Sequence, residues 1–585
     1  MVAIDYIGEL AVAAELDGIV VVPRVAKEIR SLKSNLQRAL PDMKVATRPG
    51  GIFVSTADSG RVLEISESMG LRPRAGVERF VLNRTKAVSA HAALRNQIAA
   101  IKSSGIRFAR TLVPDLSDID HLDDHQVVNV AAMTIPNGYG LSVFDEQGAG
   151  KTVTFIHAFD LLVQRDAADI ALIVAPKSMV SEWPRDFERF KRDLYKTTML
   201  TGARAEKAKA LSKGADVYVT NFETVISMEA ELRSLLARYE DRAILVVDES
   251  FFIKNPEAKR TQALKRLREW AGRAFVLCGT PAPNSPQDIV EQMNFVDFGI
   301  AFETLPRFDN PADWESAIHS ALDTRALYVR NLKSVVMPDL PDKEFRRLLV
   351  PLQPKQQKIY AAVLSELIEE LQRTDDTQFK KNIASFLAKR TALLQVCSHP
   401  GSVVSGYSEV PAKLVALDGL LGDLISKQGE KVILWSFFKH SIEEIVRRYE
   451  RFNPVRYDGS ISEVRARRAA VEAFQSDSKT MLFVANPAAA GAGLTLHRAR
   501  FAIYESLSNQ PAQYLQSLDR IHRRGQKRKV DYVILLGKDT IEVSDFDRLC
   551  VKEKNAQRLL GDVAKEPRTR ESMLREAETA AALLL

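Results

Sequence analysis

The sequence is poor in cysteine, with Cys278, Cys397 and Cys550 the only three in 585 residues. They stand far apart with no C-x-x-C spacing, which argues against a disulfide framework or a zinc module and fits a reducing cytoplasm. No run of about 18 apolar residues occurs, so no membrane-spanning helix is expected. The opening stretch MVAIDYIGELAVAAELDG carries acids where a secretory signal needs a basic end and an unbroken apolar segment, so no export is expected. Repeats of fixed period and low-complexity tracts are missing as well, which leaves ordinary globular domains. Neither sign of charge dominates: 82 Lys and Arg face 75 Asp and Glu, a net charge of +7. That excess is compatible with an anionic partner but is too thin over this length to identify one. Residues 1–118 hold 17 Lys and Arg against 12 Asp and Glu, an excess of +5, so most of it sits in the first fifth.

What is present is a chain long enough for several cores, about three or four domains at roughly 100–200 residues each. Its 46% hydrophobic and 27% charged residues fit soluble globular protein. Residues 1–118 alternate short apolar runs (GIVVVP, GGIFVST, ERFVLN) with helical patterns and read as a small basic α/β accessory domain. Over 119–285, runs such as DIALIVAP, DVYVT, RAILVVDES and RAFVLCGT recur between amphipathic helices, the pattern of a parallel sheet covered on both faces. A second such set fills 410–545, with KVILWSFF, TMLFVANP, ARFAIYES and VDYVILLG. Between them, 286–409 reads as helical protrusions and a linker, and 546–585 as a charged helical tail or brace. The fold class is therefore α/β, with two parallel-sheet domains in tandem, short helical insertions between them and a small N-terminal α/β domain.

Three clusters carry candidate chemistry. In SVFDEQGAGKT a strand gives way to a turn of small residues and then to a helix that opens at Lys151 and Thr152. Gly148, Ala149 and Gly150 let a phosphate approach the backbone, the helix N-terminus favours anionic charge, Lys151 reaches the β- and γ-phosphates, and Thr152 offers a hydroxyl to Mg²⁺. Asp145 stands where the common phosphate-loop pattern has its first glycine. The run AILVVDES ends on Asp248 and Glu249, the first suited to hold the metal ion and the second to orient or deprotonate a water. In QSLDRIHRRGQ, Gln516, Arg520 and Arg523 stand close together; on a helix the two arginines share a face, where they offer cationic charge to a transferring phosphoryl group. His91, His121 and His125 form no ligand set and are expected at the surface.

Taken in order, these stretches resemble the Swi/Snf-type ATPases, DNA translocases of helicase superfamily 2, over about residues 120–545. LDDHQ resembles the adenine-recognising motif with Gln126, DEQGAGKT the DExGxGKT motif in which an aspartate replaces the first glycine, and DESFFIKNP the DEAHxIKNP motif. LCGTPAPN, LQVCSHP, YDGSIS, GAGLTL and DRIHRRGQ follow in family order. The resemblance implies two RecA-like domains, ATP and Mg²⁺ as cofactors, Gln126 and Gln516 at the nucleotide, and double-stranded DNA as partner. It further implies a DNA-dependent ATPase that remodels or displaces DNA-bound material, with DNA contacts at Lys177, Ser178, Thr220, Asn221 and Thr495. A nucleotide-dependent clamp with little turnover and a strand-separating helicase are the alternatives. A bacterial or viral cytoplasm, with work in phage defence or repair, is the expected setting, and the N-terminal domain is expected to dock DNA or a protein partner. The sequence departs from the family pattern at Ser250 and Phe251, which replace alanine and histidine, and at Thr495, Gln510 and Arg524. These departures fall on coupling and DNA contact rather than on nucleotide binding.

Overall fold

The computed structural model describes residues 6–559, apart from 15, 44, 304, 306–310, 374–375, 462–463, 490–493, 495 and 508–510. The chain divides into two units, residues 1–282 with 286–332 and residues 283–285 with 333–585. Among the described residues no helix is long and apolar enough to cross a membrane.

The first unit opens with a small mixed sheet of β1 (Gly8–Val12), β2 (Gly18–Pro23), β3 (Val45–Arg48), β4 (Gly51–Ser55) and β5 (Leu71–Pro73), in the order β3-β4-β2-β1-β5. Only the β1–β5 pairing is parallel. Leu10, Ile19, Val21, Ile52 and Val54 pack from its strands against Leu32, Leu36, Val62 and Phe80 of the helices. The run ERFVLN, read above as a strand, instead lies in the long helix Val77–Leu112, which bends at Gly105 where φ is +68°. Phe80, Val81, Arg84, Ala87, His91 and Leu94 of that helix are buried; their spacing of three and four residues is helical, and a six-residue window is too short to show it.

Arg84 fastens the small sheet to the rest of the first unit. Its guanidinium lies 2.9 Å from Glu269 and donates to the carbonyl of Phe80 at 3.1 Å, while Asn83 donates to the carbonyl of Glu269 at 2.9 Å. The pair is nearly dry, with 4% of the arginine side chain and 11% of the glutamate exposed.

The main sheet of this unit comprises β6 (Gly140–Val143), β7 (Ile170–Val174), β8 (Thr197–Met199), β9 (Val217–Thr220), β10 (Ala243–Asp248), β11 (Arg273–Leu277) and β12 (Tyr328–Val329). Its order is β12-β6-β11-β10-β7-β9-β8, and every pairing is parallel. Every residue of β6, β7, β9, β10 and β11 is buried, as continuous Val, Ile and Leu runs demand when helices cover both faces. The second unit repeats the plan with β13 (Lys343–Val350), β14 (Val432–Trp435), β15 (Val455–Tyr457), β16 (Leu482–Ala485), β17 (Phe501–Tyr504) and β18 (Val530–Gly537), all parallel in the order β13-β18-β17-β14-β16-β15. These are the two RecA-like α/β domains. The segment 286–409 is not purely helical: β12 joins the first large sheet and β13 the second. The two-residue β12 is too short to leave a pattern. The exposed edge strand β13, KEFRRLLV, carries charge in place of an apolar run.

Replacing Arg84 by methionine leaves Glu269 buried without its cation, a loss of about 3–5 kcal/mol. The expected result is faster amide hydrogen exchange across β1–β5 with β10 unchanged; equal protection in both proteins refutes the clasp.

Candidate active site

In an open parallel sheet the loops at the carboxyl ends of the strands share one edge, and ligands bind there. The loop after β6, the acidic end of β10 and the loops after β7 and β9 all lie on that edge of the first unit.

The loop from Phe144 to Gly150 joins β6 to the helix Lys151–Gln164. Gly148 and Gly150 have φ of +90° and +91°, backbone that a side chain resists. A Cβ on Gly150 would also stand 2.1 Å from the Gln126 amide nitrogen. Gln126 sits in the first turn of the helix Asp124–Met133, where its Oε1 accepts from the Asp123 N–H at 2.9 Å. Its amide reaches the Ala149 carbonyl at 3.3 Å, and the His125 Nε2 donates to that same carbonyl at 2.8 Å. His125 is therefore a buried loop ligand and not the surface residue expected; its adjacency to Gln126 was the available signal. His91 is also buried, between the Tyr139 hydroxyl at 2.6 Å and the Arg325 carbonyl at 2.7 Å. His121 is exposed as expected.

Asp145 is wholly buried, and its carboxylate accepts from Asn129 at 2.6 Å and Asn331 at 2.8 Å. Burial raises its pKa, against the Asn331 amide and the Lys151 charge. Its own carbonyl accepts from the Lys151 ammonium at 2.9 Å. The residue in the first-glycine position thus braces the loop from behind, and the cationic end of Lys151 lies along the loop. Thr152 is half-buried in the first turn of the helix.

Asp248 and Glu249 are 4% and 2% exposed. Asp248 accepts from the indole N–H of Trp183 at 3.0 Å and from the Glu249 N–H at 2.9 Å. Burial, then the neighbouring Glu249 carboxylate, push its pKa up to about 7, opposed by Lys151 and the Trp183 bond. Two adjacent buried carboxylates constitute surplus negative charge, which suits a divalent cation held by one or two carboxylates and phosphate oxygens. Glu249 adopts φ 51° and ψ 55°, a conformation that costs a non-glycine residue about 1–3 kcal/mol and persists only when its surroundings enforce it. Trp183, which sequence reasoning did not single out, is fully buried and meets Phe155 edge to face at 5.8 Å.

Ser250, a departure from the family pattern, is buried and donates to the Gln292 side-chain oxygen at 2.6 Å. Gln292 in turn donates to the carbonyls of Pro281 at 2.5 Å and Asp288 at 2.6 Å. Lys177 and Ser178 are exposed on the loop after β7. Thr220, expected at a DNA face, is buried with its hydroxyl 3.5 Å from the Leu200 carbonyl. The Asn221 side chain caps the helix Phe222–Ser227 by accepting the Thr224 N–H at 2.9 Å. Thr495 and Gln510 lie outside the described residues.

In the second unit Gln516 is half-buried on the helix Pro511–Leu518. That helix stops before Arg520 and Arg523, so the shared helical face expected for them is corrected: Arg520 sits in a turn and Arg523 in a bend. The backbone groups a longer helix would pair internally are engaged elsewhere, since the Arg520 carbonyl accepts from the Leu496 N–H at 2.9 Å and the His522 carbonyl from Lys333 at 3.0 Å. Lys333 also pairs with the carboxylate of Asp519. Arg520 is buried, and Arg523 donates to the Leu494 carbonyl at 2.8 Å. Burial, then Lys343 and Lys333, lower the His522 pKa to about 4, and its Nε2 donates to the Pro341 carbonyl at 2.7 Å.

Known proteins are similar to this chain over most of its length. A family model described as SNF2-related domain matches residues 81–402, and one described as helicase conserved C-terminal domain matches 412–525. The chain is 26% identical over 443 residues to the ISWI chromatin-remodeling complex ATPase ISW1 of Saccharomyces cerevisiae, covering 70% of this chain and 38% of that protein. It is 27% identical over 438 residues to an uncharacterized ATP-dependent helicase of Mycoplasma pneumoniae (74% and 41%) and 25% identical over 514 residues to the lymphoid-specific helicase of Homo sapiens (72% and 60%). The chain thus spans 38% to 60% of the length of these relatives. Among solved structures, the Sulfolobus solfataricus SWI2/SNF2 ATPase core in complex with dsDNA is 22% identical, with TM-score 0.34, covering 75% of this chain and 94% of that one.

Gly150→Ala is expected to cost about 1–2 kcal/mol for its left-handed backbone and to expel the Gln126 side chain from the loop. A lowered melting temperature checks this; an unchanged one contradicts the loop geometry.

Proposed function

The chain belongs to the SNF2-related family, and from that membership we propose that it is a DNA-dependent ATPase that translocates on double-stranded DNA and displaces or remodels what is bound there. The observation that carries the reading is the shared carboxyl edge of the first large sheet, where a glycine loop, a lysine at a helix start and a buried Asp-Glu pair converge.

ATP with Mg²⁺, when bound, supplies the phosphoryl group and its charge-neutralising metal. Gln126 recognises the base, and Gly148, Ala149 and Gly150 admit the phosphates against the start of the helix Lys151–Gln164. Lys151 turns its ammonium toward them from the loop carbonyls that hold it. Thr152 and Asp248 would hold the metal, and Asp248 is kept in place by the indole N–H of Trp183. Glu249 orients the attacking water and takes its proton. Its enforced backbone conformation limits where that carboxylate can point. The family resemblance assigns Gln516 to nucleotide binding and Arg520 and Arg523 to the charge on the transferring group. Lys177 and Ser178, exposed on the loop after β7, and the segments around Asn221 and Thr495 track the DNA backbone, contact that carries no sequence information and so suits a motor; Thr220, whose side chain is buried, adds no side-chain contact to it. The proposed setting is the cytoplasm, with the N-terminal domain docking DNA or a protein partner.

Lys151→Ala, Glu249→Gln and Arg523→Ala are expected to abolish phosphate release in the presence of duplex DNA, Glu249→Gln by about 10²–10⁴ and Arg523→Ala by about 10³–10⁵. Glu249→Gln retains affinity for a fluorescent ATP analogue. Wild-type turnover in Glu249→Gln overturns the assignment of the base. Displacement of a triplex strand without opening of a forked duplex identifies translocation; opening of the fork identifies a strand-separating helicase instead.

A further inference from the structure

The 3₁₀ turn Ser250–Ile253 holds Phe251 and Phe252, residues to which the proposed chemistry assigns no role. It touches both the proposed catalytic base and the proposed DNA-tracking segment. On the catalytic side it is the immediate continuation of Glu249, and the Phe252 N–H donates to the Glu249 carbonyl at 3.1 Å. On the other side the Phe252 ring stacks on Phe222, with centroids 5.1 Å apart and planes at 27°. Phe222 is the first residue of the helix Phe222–Ser227 that Asn221 caps. Phe251 completes the stack on Phe252, with centroids 4.6 Å apart and planes at 29°. Arg260 fixes the same turn from behind, donating to the Phe252 carbonyl at 2.6 Å with its guanidinium 5.6 Å from the ring centroid. The turn's start is held separately, through the Ser250–Gln292 bond.

A shift at Asn221–Phe222 therefore has a packed route of one ring contact and one backbone hydrogen bond to Glu249. Glu249 sits in a left-handed conformation held by its surroundings, so small displacements of the turn change how firmly it is held. We propose that this turn is the element through which duplex DNA at the 220–222 segment raises the hydrolysis rate, with Phe252 the positioning residue that transmits the contact to Glu249. Phe252 touches neither nucleotide nor DNA in this scheme. Its ring sets the coupling between them. The inference rests on the DNA-dependent ATPase reading.

The test uses the full chain, a blunt duplex oligonucleotide and the variants Phe252→Leu and Phe252→Tyr, with Phe252→Met as a second version of the first change. Leucine and methionine keep apolar bulk without a ring, whereas tyrosine keeps the stack. Without DNA, Phe252→Leu is expected to hydrolyse ATP at the wild-type rate. With saturating duplex its kcat falls about three- to ten-fold, the range one aromatic pair corresponds to. KM for ATP and duplex affinity by fluorescence anisotropy stay at wild-type values, and Phe252→Tyr restores the stimulated rate. Full stimulation in Phe252→Leu overturns the proposal. So does an equal fall of the basal and stimulated rates in both ring-less variants, which marks Phe252 as packing alone, and so does a loss of duplex affinity. A wild-type chain that hydrolyses ATP with no response to duplex overturns the DNA-dependent reading itself, an outcome visible before any variant is made.

Discussion

The carboxylate of Asp145, fully buried, is satisfied by amide donors from Asn129, 16 residues upstream, and Asn331, 186 residues downstream. A buried carboxylate without such donors costs several kcal/mol, so the three segments must meet in one arrangement or the charge is stranded. The meeting has consequences in each direction. Asn129 belongs to the helix that carries His125 and Gln126 to the Ala149 carbonyl. Asn331 follows β12, and its carbonyl accepts the Glu146 N–H at 2.9 Å, which fastens the other side of the loop. The loop is thus built from behind, and Gly148 and Gly150 take the left-handed backbone that a side chain resists.

The acidic end of β10 is organised by the same logic of long-range partners. Trp183 holds Asp248, while Ser250 reaches Gln292 and through it Pro281. All three donors and acceptors of the Gln292 amide within this network are used, so Ser250 cannot move without breaking a buried bond worth about 1–3 kcal/mol. Glu249 lies between the two anchors in a conformation that it would not adopt alone. The departures at Ser250 and Phe251 are both engaged in the fold. They supply a hydroxyl anchor and an aromatic contact.

The strands of both large sheets were legible where burial on two faces writes unbroken apolar runs. IALIV, AILVVD and VDYVILLG needed no neighbour to be recognised. The reading failed where local pattern and environment part company. ERFVLN is apolar enough for a strand, yet its helical partners lie further along the chain. β13 is an exposed edge whose ladder partner, β18, supplies what its own side chains do not. Arg520 and Arg523 have helical spacing, but their carbonyl neighbours are claimed by Leu496 and Lys333, and the helix ends first. Thr220 follows a run that looks like a strand emerging into a loop, but its side chain remains inside.

By itself the sequence determined the alternation of strand and helix in two parallel-sheet domains, the glycine loop before Lys151 and the acidic end of β10. Each of these depends on residues within one element and its adjoining turn, so hydrophobic period and backbone preference suffice. Only the tertiary structure decided what Asp145 is for, that His125 faces the loop, that Trp183 holds Asp248, and that Phe252 stands between Phe222 and Glu249. Those pairings join residues that are far apart in sequence or separated by a turn of specific geometry. A hydrogen bond or ring contact between such residues leaves no periodicity, because nothing local requires one partner to anticipate the other.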